Sequence, residues 1–101
     1  MAKTDLAAIQ NSGNYDPYEA LANQIIVQTV QDYQSAIKEL IKVRKPTPEM
    51  KANDPIRVLY KSKLGRVKYF EDWFNSQAFS ALTNLDAKSI ILGVRKMEGL
   101  S

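Results

Sequence analysis

The residues with the clearest chemical potential form a basic segment in the middle of the chain. Residues 38–68 contain ten basic and three acidic residues, a segment charge of +7 in a chain whose net charge is +3. Lys38, Lys42 and Lys45 share one stripe of a helix, and a second helix carries a similar stripe. Such a density of cations is typical of proteins that contact phosphate backbones. The residues predicted to contact DNA or RNA are Lys42, Arg44, Lys45, Arg57, Lys61 and Lys68. The alternative is an ordinary solvated surface, with cations favoured near a helix C-terminus.

Catalytic chemistry is poorly provided for. The chain has no cysteine and no histidine, which excludes disulfides, thiolate metal sites and a cysteine nucleophile and removes the commonest general base and zinc ligand. Glu71 and Asp72 are adjacent, so on a helix they diverge by about 100° and cannot share a site. Asp16, Asp54 and Asp86 are better explained as helix caps. We therefore predict a protein that is not an enzyme and that holds no cofactor or metal.

An aromatic cluster follows the basic segment. Phe70, Trp73 and Phe74 have the i, i+3, i+4 spacing of one helix face, which predicts burial against another helix. Tyr69 projects away from that face and is expected to be exposed near Arg66. The alternative is that Trp73 or Tyr69 stacks on single-stranded bases.

Two long helices must position these residues. Asp16-Pro17 and Asp54-Pro55 each combine a capping carboxylate with a proline whose φ suits the first helical position. The pattern predicts helices over 17–45, ended by Pro46, and over 55–75. The predicted apolar faces are Leu21, Ile25, Tyr33, Ile37, Leu40 and Ile41 on the first helix, and Ile56, Leu59, Tyr60, Val67, Phe70, Trp73 and Phe74 on the second. Lys63 interrupts the second face close to Gly65, so the lysine either reaches outward or the helix breaks there; we favour a continuous helix with a local irregularity.

Two shorter helices complete the prediction. Ser76 can cap a helix over 77–82 and Asp86 one over 87–98, with Gly99 as a stop. The chain shows no sustained alternation of apolar and polar residues, so no sheet is expected. We predict an all-α, small three- to four-helix domain built on a long N-terminal helix and an antiparallel second helix. Residues 1–15 are predicted to be a flexible N-terminal arm, and residues 16–101 a single helical domain. The last two helices could also imitate a helix-turn-helix whose second helix carries Lys88, Ser89, Arg95 and Lys96.

Two parts of the chain resemble a known group of proteins. They are residues 22–33 (ANQIIVQTVQDY) with 36–40 (AIKEL), and residues 70–86 (FEDWFNSQAFSALTNLD). Both resemble short helical proteins encoded by phages, prophages and mobile elements of Gram-positive bacteria. The chain departs from that group at residues 77–79, where the group tends to have an acidic residue and a tryptophan, and its charged 46–68 region has no obvious counterpart. The group has no settled biochemical activity, so the resemblance implies a phage-type accessory role without indicating a reaction.

These observations lead to a prediction and an alternative. We expect a non-catalytic phage-type accessory protein that binds DNA or RNA through its basic residues. The alternative is a protein–protein interaction module, acting as an adaptor, an inhibitor or a self-associating structural protein on a host or phage partner. The apolar arc of the first helix is widened by Ile26, Val27 and Val30, so homodimerisation through this helix is a further alternative. No apolar run approaches the roughly 20 residues that cross a bilayer, and we expect a cytoplasmic protein without a membrane segment.

Overall fold

Four helices account for most of the described chain. The computed structural model describes residues 16–100, which form α1 (Pro17–Lys42), α2 (Pro55–Phe74), α3 (Gln77–Leu82) and α4 (Ala87–Met97). No residue within 16–100 lies in a strand. The predicted all-α domain on a long first helix is therefore confirmed. The arm predicted for residues 1–15 lies outside the described residues.

Both long helices begin where the sequence predicts. An Asp16 carboxylate oxygen accepts a hydrogen bond from the Tyr18 N–H at 3.0 Å, and Asp54 accepts one from the Ile56 N–H at 2.9 Å. The proline that follows each aspartate occupies the first turn. The carboxylate satisfies an N–H group that has no acceptor inside the helix. At α3 the N-cap residue is Ser76, as predicted, but its hydroxyl donates to the Trp73 carbonyl at 2.6 Å and makes no capping bond to the helix.

The ends and the middle of the long helices differ in detail from the prediction. α1 ends at Lys42, three residues earlier than expected, with Val43 already extended. The reason is Pro46, which has no N–H to donate to the Lys42 carbonyl and so cannot hold a last turn. α2 continues without interruption through Lys63 and Gly65, because Lys63 extends out of the apolar face to reach an acidic partner on α1.

One core joins all four helices. Six of the buried side chains of this core come from α1, namely Ala22, Ile26, Tyr33, Ala36, Ile37 and Leu40. The other four come from α2, α3 and α4, namely Val67, Phe74, Phe79 and Val94. The predicted face of α1 is partly wrong, because Leu21, Ile25 and Ile41 are exposed. Small side chains at Ala22 and Ala36 let the neighbouring helices approach closely. The buried stripe of α1 therefore lies beside the stripe of large apolar residues that the sequence predicts to be buried. Leu59 of α2 is also exposed.

A buried polar network ties three helices together. The Tyr33 side chain is fully buried, and its hydroxyl donates to a Glu71 carboxylate oxygen at 2.6 Å. The Arg95 guanidinium of α4 donates to the same oxygen. Burial, and then the bond to Glu71 and its negative charge, raise the pKa of Tyr33 well above its usual range. The network therefore fixes the positions of α2 and α4 against α1.

Candidate nucleic-acid interface

Contacts between the helices divide the α1–α2 hairpin into two faces. On one, Glu39 pairs with Lys63 at 3.2 Å and with Arg66 at 3.0 Å; we call this the Glu39 face. On the other, α4 contacts the hairpin, since Arg95 bonds Glu71 and the Gln34 amide donates to Glu98 at 2.7 Å; we call this the α4 face. The pairings also show that α1 and α2 run antiparallel, because Glu39 meets Lys63, whereas Tyr33, earlier in α1, meets Glu71, later in α2.

The predicted binding residues lie either on the α4 face or where α1 passes into the loop. Lys38 follows Gln34 by one helical turn, and Lys68 precedes Glu71 by about one turn, so both extend the surface on which α4 lies. Lys61 lies two turns further along the same side of α2. Lys42, Arg44 and Lys45 stand where α1 passes into the loop.

This end of the molecule carries an excess of unpaired positive charge. Eight basic side chains of residues 38–68 are exposed, and seven of them form no ion pair with another residue in the 16–100 range. We call these seven the basic end: Lys38, Lys42, Arg44, Lys45, Lys51, Lys61 and Lys68. Five of the six residues predicted from the sequence belong to it.

Arg57 has a different role from the other predicted residues. It is half-buried, and its guanidinium donates to the Thr47 carbonyl at 2.6 Å. The same carbonyl accepts the Met50 N–H at 3.1 Å, closing a turn in the loop. Arg57 thus holds the loop that carries Arg44 and Lys45, a role that the sequence does not reveal because it depends on the path of residues 43–54.

Glu39 pairs with two cations of the basic segment. The Lys63 hydrogen bond and charge, joined by the Arg66 charge, hold the pKa of Glu39 below its usual range, so it is ionised at neutral pH. Lys63 and Arg66 lie on the Glu39 face, opposite Lys61 and Lys68. Sequence analysis missed Glu39, although a lysine inside an apolar face is itself a signal that an anion lies opposite.

The alternative sites receive less support from the packing. Trp73 is half-buried, with ring centroids 5.4 Å from Phe74 and 5.6 Å from Phe79, so it contributes to the core. Tyr69 is 65% exposed, as predicted, and its ring meets Phe70 edge-on at 5.3 Å. In the proposed helix-turn-helix, α3 has only six residues.

Residues 16–100 contain neither a cluster of metal ligands nor a membrane-spanning helix. They contain no group of three or more acidic side chains placed to hold a metal ion. None of their helices is long and apolar enough to cross a membrane. No protein-family model, curated protein or solved structure matches the chain.

Proposed function

We propose that this chain is a non-catalytic nucleic-acid-binding protein that contacts phosphates through the basic end. The observation that carries the proposal is the set of seven exposed cations, gathered at one end and without ion pairs to the rest of the described chain. Cations already paired with carboxylates would have to break those pairs before contacting phosphate. The seven of the basic end are free to bind.

The expected binding mode is electrostatic and largely independent of sequence. Six of the seven side chains are lysines, which act as compact point charges on flexible stems and do not read base edges bidentately. Phosphate contacts position a protein on nucleic acid but carry little sequence information. This mode fits an accessory protein acting on DNA or RNA in the cytoplasm, as the resemblance to phage-encoded helical proteins suggests.

Salt dependence is the first test. If five of the seven cations each neutralise one phosphate of a duplex, the slope of log K against log salt is about −4.5, and affinity falls about 500-fold between roughly 50 and 200 mM salt. Fluorescence anisotropy with a labelled duplex, and with a single-stranded RNA of equal length, measures this slope. Absence of binding at the lower salt concentration would overturn the proposal.

A pair of charge-matched variants locates the site. The Lys61→Glu/Lys68→Glu variant reverses two charges of the basic end, and the Lys88→Glu/Lys96→Glu variant reverses two exposed charges on α4. Both variants have the same net charge, so a difference in their duplex affinities reports the position of the charges and not their total. We expect the first to bind duplex at least tenfold more weakly than the second at low salt. Equal losses would show that only net charge matters. Arg57 is left unchanged because its loss would disturb the loop.

A second candidate function is a protein-interaction module. Twelve large hydrophobic residues of the described chain are exposed, against ten in the buried core. Three of them, Tyr18, Leu21 and Ile25, share one stripe of α1, and contiguous exposed apolar surface is a mark of interaction sites. Pull-down from a nuclease-treated host lysate tests it: a partner retained after nuclease treatment favours this function, whereas partners released by nuclease favour nucleic-acid binding.

A further inference from the structure

The charge of the molecule is divided between its two ends. Residues 16–37 contain three acidic residues and no lysine or arginine, and the first cation of α1 is Lys38. Residues 69–100 add four acidic and three basic residues. Because α1 and α2 form an antiparallel hairpin, the basic residues collect at the loop end and the acidic ones at the opposite end.

The acidic part of α1 carries an uncovered apolar stripe. Tyr18, Leu21 and Ile25 follow i, i+3, i+7 spacing and are 65%, 59% and 38% exposed. The same stripe continues through Asp32, seven residues after Ile25, to Glu39, seven residues after Asp32. It therefore lies on the Glu39 face, away from α4. We call residues Tyr18, Leu21, Ile25 and Asp32 the α1 stripe.

A stripe of opposite charge runs along α2. Lys61, Leu64 and Lys68 follow i, i+3, i+7 spacing on the α4 face, and Arg57 begins the row one turn earlier. Leu64 is 37% exposed between the two lysines. We call residues Lys61, Leu64 and Lys68 the α2 stripe. The α2 stripe thus has an apolar residue between two cations, and the α1 stripe has an apolar run with an anion at one end.

We infer that the α1 stripe of one copy of this chain docks on the α2 stripe of a second copy. Leu21 and Ile25 would enclose Leu64, which removes apolar surface from water on both sides. Asp32 lies about 10 Å along α1 from Ile25, and Lys61 and Lys68 lie about 5–6 Å along α2 from Leu64. Asp32 thus lies at one end of the apolar contact, on the side where Lys61 or Lys68 extends beyond Leu64.

The arrangement is head-to-tail. The two stripes lie on opposite faces and toward opposite ends of the hairpin, so each copy keeps one free stripe after the first contact. Such heterologous contacts build rings or open chains. Pairing two α1 stripes with each other would bring together helix segments that contain Glu19 and Asp32 but no cation. This inference goes beyond the proposed function and implies that nucleic acid and a second copy compete for Lys61 and Lys68.

Complementary blocked variants test this geometry. Leu21→Lys/Ile25→Lys blocks the α1 stripe by repulsion, and Leu64→Lys blocks the α2 stripe by placing a charge at its apolar centre. Both blocked stripes are basic, so they repel each other. In sedimentation velocity at about 50 mM salt, we expect the wild-type mass to rise with concentration and the association constant to fall about tenfold at about 500 mM salt. Each variant alone should be monomeric. Their equimolar mixture should form a 1:1 dimer that grows no further, and Lys88→Glu/Lys96→Glu should associate like the wild type.

The outcomes separate this inference from others. A wild-type monomer at all concentrations, or a mixture that stays monomeric although both variants keep their helical circular dichroism, overturns it. Loss of association only in Leu21→Lys/Ile25→Lys shows instead a symmetric dimer through α1. That variant leaves the basic end intact, so its duplex affinity should be no weaker than that of the wild type. Duplex binding by a strictly monomeric wild type would overturn self-association and leave the proposed function standing.

Discussion

The hydroxyl of Tyr33 provides a sharp test of how the helices are held together. The Tyr33→Phe substitution removes one oxygen atom and leaves the buried ring in place against Phe74, whose centroid lies 5.6 Å away. The change deletes the 2.6 Å hydrogen bond to Glu71 that joins α1 to α2. Glu71 retains its Arg95 partner, so the substitution isolates the tyrosine contribution.

The size of the effect follows from the environment of the carboxylate. A hydrogen bond to a charged group contributes about 1.5–3 kcal/mol. The Glu71 side chain is 22% exposed and keeps the arginine, which places the loss at the lower end. We expect the free energy of unfolding to fall by about 1.5 kcal/mol, which for a domain of this size lowers the Tm by about 6–12 °C.

Denaturant titration followed by circular dichroism, together with fluorescence of the single tryptophan Trp73, measures the loss. Tyr69→Phe is the matched control, because it removes the same atom from a side chain that is 65% exposed; it should change stability by less than about 0.5 kcal/mol. A double-mutant cycle with Glu71→Gln then gives the coupling between the two groups. Equal stability of Tyr33→Phe and Tyr69→Phe would refute the view that this network fixes the helices.

Four further predictions concern local features. Burial and Glu71 raise the pKa of Tyr33, so the folded state keeps a proton that the unfolded chain loses near pH 10. The stabilisation from Tyr33 is therefore complete below that pH and falls above it. Denaturant titrations at rising pH measure this fall in stability, and Tyr33→Phe should remove most of it. Asp54→Ala deletes the α2 cap and should cost about 1 kcal/mol in the same titration. A Cβ at Gly93 meets no atom within 4 Å, so Gly93→Ala should stabilise α4 by up to about 1 kcal/mol. Gly99→Ala should instead destabilise, because Gly99 has φ +80°; a stability gain at Gly99 would contradict this reasoning.

The fold was more predictable than the site. The α1 and α2 starts follow from contacts between residues two positions apart, and such contacts form wherever the chain enters a helix. The exposure of Leu21 and Ile25 was not predictable in the same way. α1 offers two neighbouring apolar stripes, and the choice between them depends on how closely α2, α3 and α4 approach Ala22 and Ala36.

For the candidate interface, the sequence alone identified the concentration of cations between residues 38 and 68, because charge density is a property of composition. Only the tertiary structure decided which of those cations are available. Glu39 pairs with Lys63 and Arg66 across 24 and 27 residues of chain, and Thr47 engages Arg57 across ten. Each of these contacts depends on the docking of α2 against α1 or on the path of the loop. Helical spacing in the sequence predicts neither the docking nor the path. The basic segment of the sequence thereby becomes a surface with paired cations on the Glu39 face and unpaired ones at the basic end.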